Sequence, residues 1–282
     1  MASSVIRPLS RSVNPQEIAF FSKLSAQWWN ENGEFGLLHR MNPVRTQFIT
    51  DKLDLKGLDV LDVGCGGGLL SEGLARLGAR TVGIDASASN IQIASHHAST
   101  DPSLATTLTY RHTTAEDVLS PPPSSGSGGI SIPRQFDAVC SMEVLEHVDD
   151  PASFLTTLSQ LVKPGGHLFL STISRTPLAY FLTIFAAEQM LRKVEPGTHT
   201  YNKFIKPSEL VKFFRELKDE ETGKEWIRRW AGSGEVDVRG IVWVPWENQW
   251  KLLSRTASEW GGTECNYMFW VRRPEAGPSS TP

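Results

Sequence analysis

The run Leu61-Asp62-Val63-Gly64-Cys65-Gly66-Gly67-Gly68 constrains the fold more than any other stretch of the chain. It follows a short apolar segment at 59–63 and precedes an amphipathic one at 69–77, so it reads as the turn from a strand into a helix. Closely spaced glycines let the backbone turn tightly and let a ligand approach the main chain without side-chain obstruction. Turns of this kind belong to parallel sheets, in which a helix follows each strand.

The rest of the chain keeps that alternation. Strands are predicted at 80–84, 107–111, 136–141 and 167–171, and helices at 69–77, 88–97 and 151–161. Two late strands, 236–244 and 265–271, read as an antiparallel pair closing the sheet. Upstream, Ile18, Phe20, Phe21, Leu24 and Trp28 recur at helical spacing and predict a helix over 16–29. Residues 35–43 read as a packed lid, and Pro43 as the opening of a helix over 44–53. Helical patterns also cover 176–194 and 207–217. The Pro-, Gly- and Ser-rich residues 119–134 are expected to form a flexible insertion, and 274–282 a disordered tail. The expectation is one doubly wound, Rossmann-like α/β domain over 16–273, with a mostly parallel seven-stranded sheet and an antiparallel last strand.

Composition narrows the function classes. The net charge of -3 comes from interspersed acids and bases, which offers no extended basic face and argues against a nucleic-acid partner. Cys65, Cys140 and Cys265 stand apart, without zinc-type spacing or a disulfide framework. The longest strongly apolar run, 177–187, is well short of the roughly 20 residues of a spanning helix.

The glycine turn also selects its ligand. A dinucleotide fingerprint needs a last glycine where this chain has Leu69, and Asp62 places an acid where a pyrophosphate would be repelled. A carboxylate suits instead the ammonium and sulfonium charges of S-adenosylmethionine, whose amino-acid end the loop at Gly64 and Gly66 would receive. Asp85, about 20 residues on at the next strand end, is placed for the two ribose hydroxyls. Met142 suits the wall of an adenine pocket. Glu116 or Asp117 could read the adenine amino group, and the sequence does not choose between them.

After the fourth strand, Glu143, Glu146 and His147 fall at i, i+3 and i+4, which one helical turn would gather on one face. Two carboxylates and an imidazole could hold magnesium or manganese, with zinc also open, and lower the pKa of a chelated phenol. Alternatively Glu143 or His147 could act as general base without a metal.

Beyond these features, the chain closely resembles the ubiquinone-biosynthesis O-methyltransferase family in its mitochondrial form. The resemblance runs from about residue 18 to 271. It rests on Trp28-Trp29, Leu38-His39-Arg40-Met41-Asn42-Pro43-Val44-Arg45, the glycine loop, Met142-Glu143-Val144-Leu145-Glu146-His147-Val148, Gly197-Thr198-His199 and Lys203-Phe204-Ile205-Lys206-Pro207. It implies a class I methyltransferase fold and O-methylation of polyprenylated dihydroxybenzoate and demethylubiquinol intermediates at two steps of quinone assembly. It further implies that Arg45, Gly64, Asp85 and Met142 contact S-adenosylmethionine and that Glu143, Glu146 and His147 hold magnesium. Membership of a multi-subunit biosynthetic complex is expected with it.

Residues 1–15, with Arg7, Arg11, four serines and no acid, have the composition of a mitochondrial presequence. The apolar residues Leu178, Tyr180, Phe181, Leu182, Ile184 and Phe185, followed by Arg192 and Lys193, suit an interfacial helix. The expected location is therefore the matrix face of the mitochondrial inner membrane, held peripherally.

Overall fold

The computed structural model describes residues 12–121, 134–179, 203–228 and 235–275. The presequence up to residue 11, most of the 119–134 insertion, residues 180–202 with their interfacial pattern, and the tail from 276 lie outside the described residues.

Helix α1 (Pro15–Leu24) starts where Asn14 accepts hydrogen bonds from the Gln16 and Glu17 amides, at 2.8 and 3.2 Å. It stops short of the predicted 29, because Ser25–Gln27 tightens into a 3-10 turn that leads into Trp28. Helix α2 (Gly36–Thr50) corrects the reading of 35–43 as a lid: those residues form its first turns, with Pro43 inside rather than at the start. An interior proline costs about 3 kcal/mol. Burial of Met41, Val44, Phe48 and Ile49 on one face, at roughly 1.5–3 kcal/mol each, outweighs it.

Then come β1 (Asp59–Val63), α3 (Leu69–Arg76), β2 (Arg80–Asp85), α4 (Ala88–Ser99), β3 (Leu108–His112), α5 (Ala115–Leu119) and β4 (Phe136–Met142). They are followed by α6 (Pro151–Gln160), β5 (Val162–Ile173), the single turn α7 (Pro177–Ala179), α8 (Pro207–Glu216), β6 (Val236–Val244), β7 (Gln249–Leu252) and β8 (Asn266–Arg272). Residues 163–166, ahead of the predicted strand at 167–171, are absorbed into β5 as an irregularity, where pairing with β4 jumps from Val162 to His167.

The sheet order is β3-β2-β1-β4-β5-β8-β6-β7. Strands β1 to β5 pair in parallel, β8 is antiparallel to both β5 and β6, and β7 is antiparallel to β6. The sheet thus has eight strands, one more than expected. The added β7 forms because Trp243 and Trp250 face each other across a short hairpin, giving a large cross-strand aromatic pair. One apolar cluster joins α6 and α8 to the sheet through Leu155, Leu158, Leu210, Phe214 and Phe269. A second joins α2 and α3 to it through Phe48, Leu74, Val60 and Phe169. The carboxyl ends of β1, β2 and β4 therefore share one rim, with the glycine loop, Asp85 and Met142 on it.

Candidate active site

The loop after β1 takes the left-handed backbone its glycines allow: φ is +73° at Gly64 and +54° at Gly66. A side chain at Gly66 would also strike the indole of Trp28, which lies against the loop. The amides of Gly64 and Cys65 donate to the Ile84 carbonyl at 2.9 and 3.0 Å, and that of Gly66 to Asp85 Oδ2 at 2.9 Å. Asp85 Oδ1 accepts from the Ser87 amide at 2.7 Å. Asp85 therefore ties the end of β2 to the loop before any ligand arrives, and burial raises its pKa. Asn90 Nδ2 also donates to Oδ1 at 3.3 Å, so three of the about four lone-pair sites of the carboxylate are taken and one, on Oδ2, remains for a hydroxyl donor.

Asp62, at the end of β1, is buried and accepts from Ser71 Oγ at 2.6 Å. Burial pushes its pKa up to about 6, against the pull of Ser71 and Arg45. Arg45 projects from α2 and is only 4% exposed. Its Nε and Nη2 have no hydrogen-bond partner among the described residues, although Glu143, Asp62 and Glu146 are near enough to favour its charge. A buried guanidinium with unused N–H groups is costly in isolation and suits a carboxylate ligand.

Of the two acids after β3, Glu116 is the buried one. It is 4% exposed; its Oε1 accepts from the Ser12 amide and hydroxyl at 3.1 and 2.6 Å, while its buried Oε2 has no partner among the described residues. That oxygen is an acceptor awaiting a donor, as an adenine amino group would be. Glycine cradle, Arg45 and Glu116 together fit S-adenosylmethionine.

Met142 ends β4 in a buried position opposite Ser171. Glu143 then takes a left-handed φ of +59°, uncommon for a residue with a side chain. This swings its carboxylate back to accept from Ser171 Oγ at 2.6 Å. Glu146 is buried and accepts from Thr172 Oγ1 at 2.7 Å. His147 points the other way, with Nδ1 3.1 Å from Glu17 Oε2 of α1 and its ring edge-on to Phe21. Burial works against an imidazolium here, but Glu17 and Glu146 outweigh it and raise the His147 pKa; Glu17 is correspondingly lowered despite its own burial.

The expected magnesium set is thus not assembled. Residues 145–147 form a 3-10 turn that begins only after Glu143, so the α-helical spacing that would align i, i+3 and i+4 is absent. Among the described residues no three His, Cys, Asp or Glu side chains are grouped to hold a metal ion. The donors do not fit the ion as they stand.

Residues 37–218 match a methyltransferase-domain family. The chain is 41% identical over 269 residues to the mitochondrial ubiquinone biosynthesis O-methyltransferase of Schizosaccharomyces pombe, covering 94% of this chain and 88% of that one. It is likewise 41% identical to the ubiquinone biosynthesis O-methyltransferase of Roseobacter denitrificans, covering 88% and 93%. The chain belongs to the ubiquinone biosynthesis O-methyltransferase family.

Two solved structures share the fold at low identity. One is the magnesium protoporphyrin IX methyltransferase of Synechocystis with bound SAH, with a TM-score of 0.54 at 16% identity over 91% of this chain and 99% of that one. The other is a SAM-dependent methyltransferase of Thermotoga maritima, with a TM-score of 0.56 at 16% identity over 91% and 99%. Within this ubiquinone biosynthesis O-methyltransferase fold, Asp62, Gly64, Gly66 and Asp85 lie at one rim, and Arg45 reaches Asp62 from α2. The contributions of Ser12 and Glu17 carried no signal in the sequence, because each meets its partner more than 100 residues away.

Proposed function

We propose that this chain moves the methyl group of S-adenosylmethionine to a phenolic oxygen of polyprenylated dihydroxybenzoate and demethylubiquinol intermediates, at two steps of ubiquinone assembly. The names of its relatives support the acceptor class. The observation that carries the donor is Arg45, buried beside Asp62 with the N–H groups of Nε and Nη2 unused. When bound, S-adenosylmethionine supplies an electrophilic methyl on a sulfonium leaving group. Arg45 holds its carboxylate, Asp62 its ammonium, the Gly64–Gly66 backbone lets it approach, Asp85 takes the ribose hydroxyls, Glu116 the adenine amino group, and Met142 lines the adenine wall.

The acceptor's proton must leave before or as the O–C bond forms and the C–S bond breaks with its electron pair going to sulfur. His147 and Glu143 are the bases at hand. Glu17 on Nδ1 fixes the His147 ring and strengthens its hold on a proton, as carboxylate–histidine pairs do in general-base sites. The relative from Schizosaccharomyces pombe is named mitochondrial, and no helix among the described residues is long and apolar enough to cross a membrane. The first supports a mitochondrial location; peripheral residence on the matrix face of the inner membrane, within a biosynthetic complex, belongs to the same proposal.

Incubation with methyl-labelled S-adenosylmethionine and a short-tailed dihydroxybenzoate should give the labelled methyl ether. Label transfer to nitrogen acceptors or none at all would reject the reading.

A further inference from the structure

The N-termini of α6 and α8 lie side by side at the rim that carries the catalytic turn, and a groove of about 310 Å³ separates them. Its lining is mainly apolar: Val148, Ala152, Leu155, Ile205, Leu210 and Phe213. Arg175, Lys203, Asp149 and Glu209 also reach it, but they neutralise one another. Arg175 pairs with Glu209, and Lys203 lies 3.3 Å from Glu17 and 3.6 Å from Asp149. Such a groove has the volume of a small-molecule site and no unmatched charge among these groups to attract an ion.

Its position links it to the reaction. Val148, which lines it, directly follows His147. Glu17 touches His147 on one side and Lys203 on the other, so a polar bridge marks the boundary between catalytic turn and groove. An acceptor with its phenol at His147 would have an apolar trough beginning one residue away.

We infer that this groove binds the first isoprene units of the acceptor's tail, an assignment that rests on the prenylated-phenol reading. The tail binds by losing contact with water, which stabilises in proportion to the apolar area buried and ends when the groove is full. Efficiency therefore rises over the first units, by at least about tenfold for the first, and then levels off.

Ala152 offers the test, because it is exposed and makes no part of either main core, so bulk there fills the groove and leaves the packing intact. Ala152→Trp and the unaltered protein are compared with dihydroxybenzoates bearing zero to four isoprene units, and by calorimetric titration with farnesol alone. The expected result is that Ala152→Trp abolishes the rise with tail length through KM, keeps kcat and untailed-substrate efficiency, and binds farnesol about tenfold more weakly. A tail dependence or farnesol affinity unchanged by Ala152→Trp would overturn the groove, as would equal losses on tailed and untailed acceptors. If no acceptor is methylated while farnesol binding still depends on Ala152, the groove stands and the methyl-acceptor reading falls.

Discussion

At Arg45 and Asp62 the site stores its electrostatic demand before the donor arrives. Replacing Arg45 by Lys keeps a charge but removes the planar set of N–H groups. Hydrogen bonds between charged partners contribute about 1.5–3 kcal/mol, so affinity for S-adenosylhomocysteine should fall roughly 10–100-fold by calorimetry. Asp62 supplies a pH dependence. Its folded pKa of about 6 lies above the ordinary 3.8, so the stability its bound proton contributes is fully present below pH 3.8 and is lost as pH rises through about 6. Donor binding runs in the opposite sense, because the ammonium needs the ionised carboxylate. Affinity should drop as pH falls below about 6, and Asp62→Asn should be weaker and nearly flat across that window. An unaltered profile in the variant would remove Asp62 from this role. Glu143, Glu146 and His147 make a third prediction: held by Ser171, Thr172 and Glu17, they leave turnover intact in excess EDTA, whereas a loss restored by magnesium would show that donor or acceptor binding regroups them.

Helix α1 has no buried residue, yet it lies across the rim. It is held by polar contacts and partly buried aromatics: Ser12 to Glu116, Ser22 to Ser87, Glu17 to His147 and Lys203, and Phe21 against the His147 ring. An element attached this way should open more readily than the core. The raised His147 pKa adds stability that is fully present below the unfolded value of 6.5 and lost as pH rises through the folded one. Amide exchange in α1 should therefore quicken on that rise while exchange in β1 and β4 stays slow. Glu17→Gln should quicken it already at low pH, and a variant indistinguishable from the parent would show that the Glu17–His147 contact does not hold α1.

Across the molecule, the far edge of the sheet supports the helix that carries Arg45. Trp250 of β7 donates its indole N–H to the Leu37 carbonyl of α2 at 3.1 Å, joining residues at opposite ends of the chain. Trp250→Phe removes that hydrogen bond, worth about 1 kcal/mol, and should lower the melting temperature by about 2–4 °C. Donor affinity should weaken with it if β7 steadies Arg45.

Local pattern carried much of this fold. The alternation of periodicities from residue 59 to 171 placed five parallel strands, four with ends within one residue and β5 five residues short at its start, because each strand and helix buries one face and writes its period into the chain. The same logic placed the glycine loop, Asp62 and Asp85 at strand ends. Arg45 became visible only through resemblance, since helical spacing does not say whether a charge faces solvent or a cleft. Three features were decided by tertiary structure alone. Pro43 sits inside α2 because burial of that helix's apolar face outweighs the proline. Glu143 adopts a left-handed backbone, so a spacing that promised one helical face instead sends its side chains to β5 and to α1. Ser12 and Glu17 reach the site because folding brings distant segments together, and no short-range period records which polar atoms will then meet.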